Sequence, residues 1–314
     1  MTRANGHLRW ITVVAVLVCA ALPQLWAQSA PAPSIDLRAR TMRPGEVLLV
    51  SIATPTDVAS VAVQSFNRTT PAYLLADGLW NALVGIDLDQ AAGDYRVTAT
   101  TNSGATADKV FAVTPRTFPT RTLKVNPDFV NPPATLMARI EEETRFTQTL
   151  LATVTPQRLW STPFKVPVPH KANSRFGTRS VFNGEARNPH AGTDFLSPAG
   201  TPIHAPNAGR VVAARDLFFS GRTVILDHGL GVFSQLAHMS RIDVAEGDVV
   251  QAGQVVGLVG ATGRVTGAHL HWGLRVGEAR VDPLSLVCPG FQDQFLNVLD
   301  VVATADKFFD QSVQ

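Results

Sequence analysis

His269 and His271 stand two apart in Thr262-Gly-Arg-Val-Thr-Gly-Ala-His-Leu-His-Trp-Gly-Leu-Arg-Val276, a stretch whose apolar half reads as a β-strand. Side chains on a strand repeat every two residues, so both imidazoles leave one face and Leu270 leaves the other. Two imidazoles one strand repeat apart can reach a single small site. Upstream, Asn188-Pro-His-Ala-Gly-Thr-Asp-Phe195 sets His190 four residues before Asp194, again on one face if extended, and Gly192 lets the chain bend close to an ion. Leu236-Ala-His-Met239 adds His238 among apolar neighbours. Two histidines and a carboxylate form a common open zinc shell, with a fourth position left for water. Six of the eight histidines lie between His190 and His271, and none falls within residues 35–115.

The remaining polar candidates have blander readings. His228, in Leu226-Asp-His-Gly229, reads as a structural turn residue. His204 is expected to face solvent or substrate, and His170, in a Pro-rich segment, to be exposed. Arg175 and Arg179 suit either a substrate carboxylate or an internal salt bridge. Trp272 alternates away from the two histidines and is expected in the core.

Taken in order, the motifs resemble the M23 family of zinc metallopeptidases, the lysostaphin/LytM-type peptidoglycan hydrolases. The likeness covers about residues 172–286. Besides the histidine motifs it rests on Ser174-Arg-Phe-Gly-Thr-Arg179, Ala199-Gly-Thr-Pro-Ile203, Val224-Ile-Leu-Asp-His-Gly229, Val244-Ala-Glu-Gly-Asp-Val-Val250 and Gly257-Leu-Val-Gly-Ala-Thr-Gly263. The resemblance implies that His190, Asp194 and His271 bind Zn2+ and that His238 and His269 are catalytic. It implies an endopeptidase acting on peptide cross-links of bacterial peptidoglycan. No H-E-x-x-H glutamate is present to act as base, so imidazoles, which titrate near neutral pH, must serve. His269 is the expected base and His238 the expected transition-state stabiliser. Two positions depart from the family pattern. Leu236 stands where members often carry tyrosine, and Gly273 where they often carry glutamate. The first departure is expected to remove a substrate contact or a hydrogen bond behind the site. Rival readings are a catalytically silent LytM-like wall-binding regulator that activates other hydrolases, a general extracellular metalloprotease, and a chain whose front module occludes the groove.

The elements that must carry these residues are mostly short strands. The chain has 314 residues, 45% of them apolar, with 21 prolines and 23 glycines as punctuation. Its formal charge of +2 comes with no Lys/Arg stripe, so no nucleic-acid partner is expected; the expected partner is peptidoglycan, with other cell-wall proteins as a further possibility. Residues 1–27 read as a signal peptide: Arg3 and Arg9, then a short apolar run ended by Pro23. That implies export to the periplasm or cell envelope. Once it is removed, Cys288 is the single cysteine, so no internal disulfide is expected. The expected fold is mainly β. Residues 35–115 form an immunoglobulin-like sandwich, and 116–165 a connector with a helix over about 134–151. Residues 166–287 form a LytM-type antiparallel β domain, and 288–314 a helical tail. The acidic Glu141-Glu-Glu143 run reads as the solvated face of the helix.

Overall fold

The computed structural model describes residues 32–287. The expected signal peptide, Cys288 and the expected C-terminal helix lie outside the described residues.

The front module has eight strands: β1 Ser34–Arg38, β2 Val47–Ala53, β3 Val61–Ser65, β4 Arg68–Pro71, β5 Tyr73–Ala76, β6 Leu79–Gly85, β7 Gly93–Thr101 and β8 Thr106–Val113. They form two four-stranded antiparallel sheets, in the orders β1-β2-β6-β5 and β4-β3-β7-β8. Leu48, Val50, Trp80 and Val84 of the first sheet share a core with Val63, Val97, Ala99 and Phe111 of the second. Strand β7 alternates, with Val97 and Ala99 buried and Arg96 exposed.

Strand β2 does not alternate, because both of its faces are covered. Its other face carries Val47 and Leu49, which pack with Leu83, Trp160, Phe164, Leu230, Leu274 and Val276. One apolar cluster therefore joins the sandwich to the C-terminal domain. Ion pairs border it: Arg40 meets Glu46 and Asp282, each at 2.7 Å, and Arg280 meets Asp87 at 2.7 Å. Trp160 and Phe164 come from the Pro-rich segment, which is thus part of the core as well as an extended lead-in.

The connector does more than link. Its strand β9, Thr120–Leu123, pairs in parallel with β11, Arg179–Phe182, which pairs antiparallel with β12, Glu185–Ala186. Helix α1 spans Ala134–Leu151, matching the expected bounds, and Pro133 stands at its N-cap, where a missing N–H costs nothing. Phe146, Leu150 and Leu151 pack on Ala213, Ile225 and Phe233. The acidic run is only partly a solvated face. Glu143 accepts from Arg139 at 2.6 Å and from the Phe218 backbone N–H at 2.7 Å, tying the helix to the domain behind it.

The C-terminal domain is an antiparallel sheet built from β10 Ala172–Ser174, β13 Gly192–Phe195, β14 Pro202–His204, β15 Gly209–Leu217, β16 Gly221–Asp227, β17 Val232–Ile242, β18 Val249–Val250, β19 Val255–Val259, β20 Leu270–Val276 and β21 Ala279–Val281. The main path runs β10-β13-β20-β17-β16-β15-β18. Strand β17 pairs with β20 through Ala237 and with β19 from Met239 onward. The switch of partner falls at His238, whose φ is +66°. Among the described residues, no helix is long and apolar enough to cross a membrane.

Candidate metal centre

Three segments bring three ligand-type side chains together. Asp194 of β13 and His271 of β20 are cross-strand partners, so register alone sets their side chains next to each other. His190 arrives from the loop before β13. His190 Nε2 lies 2.9 Å from Asp194 Oδ1 and 3.0 Å from His271 Nδ1, and His271 Nδ1 lies 2.9 Å from the same carboxylate oxygen. Gly192 makes room for this: a Cβ there would stand 2.6 Å from the His271 ring.

The protons on these atoms can be counted. His190 Nδ1 donates to the Arg175 carbonyl at 3.2 Å, so in the neutral ring Nε2 carries a lone pair. In that form the lone pair faces those of Asp194 at 2.9 Å; with a proton on Nε2 the ring donates to the carboxylate instead. Burial alone would raise the Asp194 carboxyl, but the two imidazoles in front of it outweigh burial and hold it far below the usual carboxylate range. His271 is lowered, by burial first; Asp194 opposes the shift and the neighbouring imidazoles of His190 and His269 add to it. Atoms this close together must share a proton or a metal ion. Two imidazole nitrogens and one carboxylate oxygen, all within 4.8 Å of one another, fit a metal ion with a position left open.

Two further histidines border the triad. His269 Nε2 is 3.8 Å from Asp194 Oδ1, and the His238 ring lies 4.8 Å from that of His269 and 5.9 Å from that of His271. Each is held in the same way: His269 Nδ1 donates to Gly267 O and His238 Nδ1 to Thr262 O, both at 2.9 Å. In the neutral ring of each, Nε2 is left as an acceptor. His238 is pushed down to about 3 by burial and by the imidazoles of His271 and His269.

His238 joins the site through its backbone. Ala237 pairs with His271, so a straight strand would aim residue 238 toward the core with Leu236. The positive φ at His238 and the irregular register around it turn the side chain back. A non-glycine residue in this region is strained, and strain of this kind gathers at functional sites.

The five residues lie along one groove of about 460 Å³, within the range of ligand pockets. The sandwich contributes no lining residue; the connector contributes Arg121, Leu123 and Val125. Reading the sequence missed that wall, whose pairing partner β11 is remote in sequence. It also missed Gln235, Phe182, Phe219 and Arg264, which line the groove. The only local sign of Arg264 is its place in the loop leading to His269.

The other candidates are placed elsewhere. His228 is fully buried, with Nδ1 donating to Ala208 O at 2.8 Å and Nε2 accepting from Ser234 Oγ at 2.9 Å. His204 is half-buried beside Pro167. His170 is half-buried with Nδ1 inside the protein, and is not the exposed residue expected. Trp272 is in the core. So is Leu236, fully buried on the face away from the groove, where it makes no contact with the site. Gly273 does border the site: a Cβ there would lie 3.6 Å from His271 Nε2, so a side chain at 273 would stand beside that ring.

With this geometry in place, likenesses to known proteins are informative. A model of peptidase family M23 matches residues 188–283. A crystal structure from Pseudomonas aeruginosa assigned to peptidase M23 superposes with a TM-score of 0.63 at 31% identity, over 79% of this chain and 96% of that one. The chain belongs to peptidase family M23. The peptidoglycan DD-endopeptidase ShyA of Vibrio cholerae is 42% identical over 101 residues, 32% of this chain and 24% of that protein. The DD-carboxypeptidase/endopeptidase Mpg of Neisseria meningitidis is 39% identical over 100 residues, 32% of this chain and 23% of that protein. The chain thus spans about a quarter of the length of these curated relatives.

Proposed function

We propose that the protein is an exported zinc-dependent endopeptidase that hydrolyses peptide cross-links of peptidoglycan in the cell envelope. The observation that carries this reading is the meeting of two imidazole nitrogens and a carboxylate oxygen within 3.0 Å, bordered by the imidazoles of His269 and His238. The substrate class is supported by the names of ShyA and Mpg, and the envelope location by the signal-like residues 1–27. The presence of all five histidine and aspartate residues favours an enzyme over a silent wall-binding regulator. The sandwich, read as immunoglobulin-like, serves as a structural or docking module.

His190, Asp194 and His271 hold the ion. Zinc bound there supplies Lewis acidity for a peptide carbonyl and for water. The chain's own residues do the rest. His269, the more open of the two flanking histidines, takes the proton of the attacking water on Nε2 and returns it to the leaving amine. Its Nδ1–H stays on Gly267 O, which fixes the ring during the transfer. His238 is assigned to transition-state stabilisation, and Thr262 O fixes the orientation of its ring. The groove receives the extended peptide.

Muropeptide mass spectrometry tests the reading. Zinc-loaded protein incubated with sacculi converts cross-linked dimers to monomers; chelator-treated protein and His269→Ala do not. Dimers left intact by a fully zinc-loaded protein would discard the endopeptidase in favour of the wall-binding regulator.

A further inference from the structure

Arg264 stands in the wall of the groove against two aromatic rings. Its guanidinium carbon lies 4.7 Å from the centroid of Phe219 and 5.1 Å from that of Phe182. The three residues come from separate segments: β11, the β15–β16 turn and the loop before His269. The clamp is tight. The Arg264 N–H donates to Phe219 O at 2.8 Å, and a Cβ on neighbouring Gly263 would stand 2.4 Å from Gly221 N. The same loop supplies the Thr262 carbonyl that orients His238.

Among the described residues, no side chain or carbonyl accepts a hydrogen bond from this guanidinium. That is unusual for a half-buried arginine. Arg40, Arg215 and Arg280 each meet a carboxylate within 2.7 Å. Arg187, whose charge bears on Arg264, is itself paired with Glu185 at 2.7 Å. The groove offers Arg264 no internal partner either: Asp194 is its one lining carboxylate, and that is committed to the metal cluster. Arg121 adds a second positive charge to the wall. Rings engage a guanidinium through its face, which leaves its N–H edge for a planar, two-toothed acceptor.

We infer that Arg264 is a specificity-determining residue that receives a free carboxylate of the cross-linked stem peptide. The inference rests on the peptidoglycan reading above and narrows it: the favoured cross-link carries a free carboxylate within reach of the groove, and an uncharged bridge is disfavoured.

The test uses the zinc-loaded full chain and a synthetic cross-linked stem dimer in two forms. One has free carboxylates; in the other they are carboxamides. The wild type is expected to prefer the first by roughly 10- to 100-fold in kcat/KM, mainly through KM, the range for a charge-assisted hydrogen bond. Arg264→Met keeps an unbranched stem against the rings and is expected to lose the preference with zinc content unchanged. Arg264→Lys retains part of it. Equal turnover of both dimers by the wild type overturns the inference, as does an Arg264→Met protein that slows both equally. Binding of the two dimers to zinc-loaded His269→Ala, followed by fluorescence anisotropy, separates this inference from the endopeptidase reading. Selective binding without wild-type hydrolysis supports the carboxylate site and removes the peptidase; hydrolysis without selectivity does the reverse. Neither binding nor hydrolysis overturns both.

Discussion

The front sandwich and the groove both bury polar groups against one another, with opposite results. In the sandwich, Ser51 Oγ donates to Asn81 Oδ1 at 2.8 Å, and both residues are buried. One has the proton the other needs, so the pair is complete. In the groove, His190 Nε2 and His271 Nδ1 both crowd Asp194 Oδ1 at 2.9 Å, so three ligand-type atoms share one small space. Backbone strain divides in the same way. The sandwich confines its positive-φ side chains to Phe66 and Asn67 in the β3–β4 turn, whereas β17 carries one mid-strand, at His238. A polar cluster is structural when its protons balance and its backbone is relaxed. It is a candidate site when neither holds.

The largest expected effect comes from removing one acceptor from the unbalanced cluster. Asp194→Ala is expected to abolish stoichiometric zinc uptake and the thermal stabilisation that zinc confers. It should lower cross-link hydrolysis by more than about 100-fold, since losing even an outer partner of a ligand costs roughly 10- to 100-fold. Ser51→Ala, its counterpart in the sandwich, is expected to cost about 1 kcal/mol of stability with zinc stoichiometry unchanged. Metal analysis and urea unfolding of the two proteins check the pair. Wild-type zinc uptake by Asp194→Ala would break the distinction.

A smaller effect tests whether the regions are as separate as this suggests. Arg40 of the sandwich reaches Asp282 at 2.7 Å, and Asp282 accepts from Thr193, the neighbour of Asp194, at 3.2 Å. Glu46 and Asp282 are nearly enclosed, with 3% and 8% of their side chains exposed. Arg40→Met removes their shared cation and is expected to destabilise the fold by roughly 3 to 5 kcal/mol, as broken buried pairs do. Zinc affinity, measured by chelator competition, is expected to stay at the wild-type value. A matching fall in affinity would make the sandwich part of the metal centre.

The separation was partly legible in the sequence. Period-two spacing was enough to put His269 and His271 on one face, and cross-strand register then sets Asp194 opposite His271. Helix α1 was legible because Pro-Pro precedes a long run free of breakers. The inward turn of His238 was not, since it depends on a change of strand partner that no local spacing records. Nor was the groove wall: Arg264 meets Phe182 and Phe219 only after β11 and the β15–β16 turn fold beside it. Trp160 and Phe164 were hidden in a Pro-rich stretch whose composition suggests a bare linker, although their burial joins the two modules.

His228 sharpens the contrast within the C-terminal domain itself, because there a buried histidine has its protons balanced. Trp272 Nε1 donates to Ser234 Oγ at 3.2 Å, Ser234 donates to His228 Nε2, and His228 Nδ1 donates to Ala208 O. A proton added at Nε2 would leave the serine hydroxyl, already accepting from Trp272, with nowhere to donate. Burial accordingly lowers the imidazole from 6.5 to about 4. Between those values the unfolded chain binds a proton that the folded chain refuses, so stability rises with pH across the window. The contribution is complete above pH 6.5 and is lost progressively as pH falls toward 4; it amounts to about 3 kcal/mol from one end to the other. Urea unfolding at steps from pH 4.5 to 7.5, compared with His228→Gln, isolates it, because the two proteins differ only at this residue. The wild type should show the steeper dependence. Parallel curves would mean that this histidine takes up its proton in the folded state, and that its hydrogen bonds leave it as free to titrate as an exposed one.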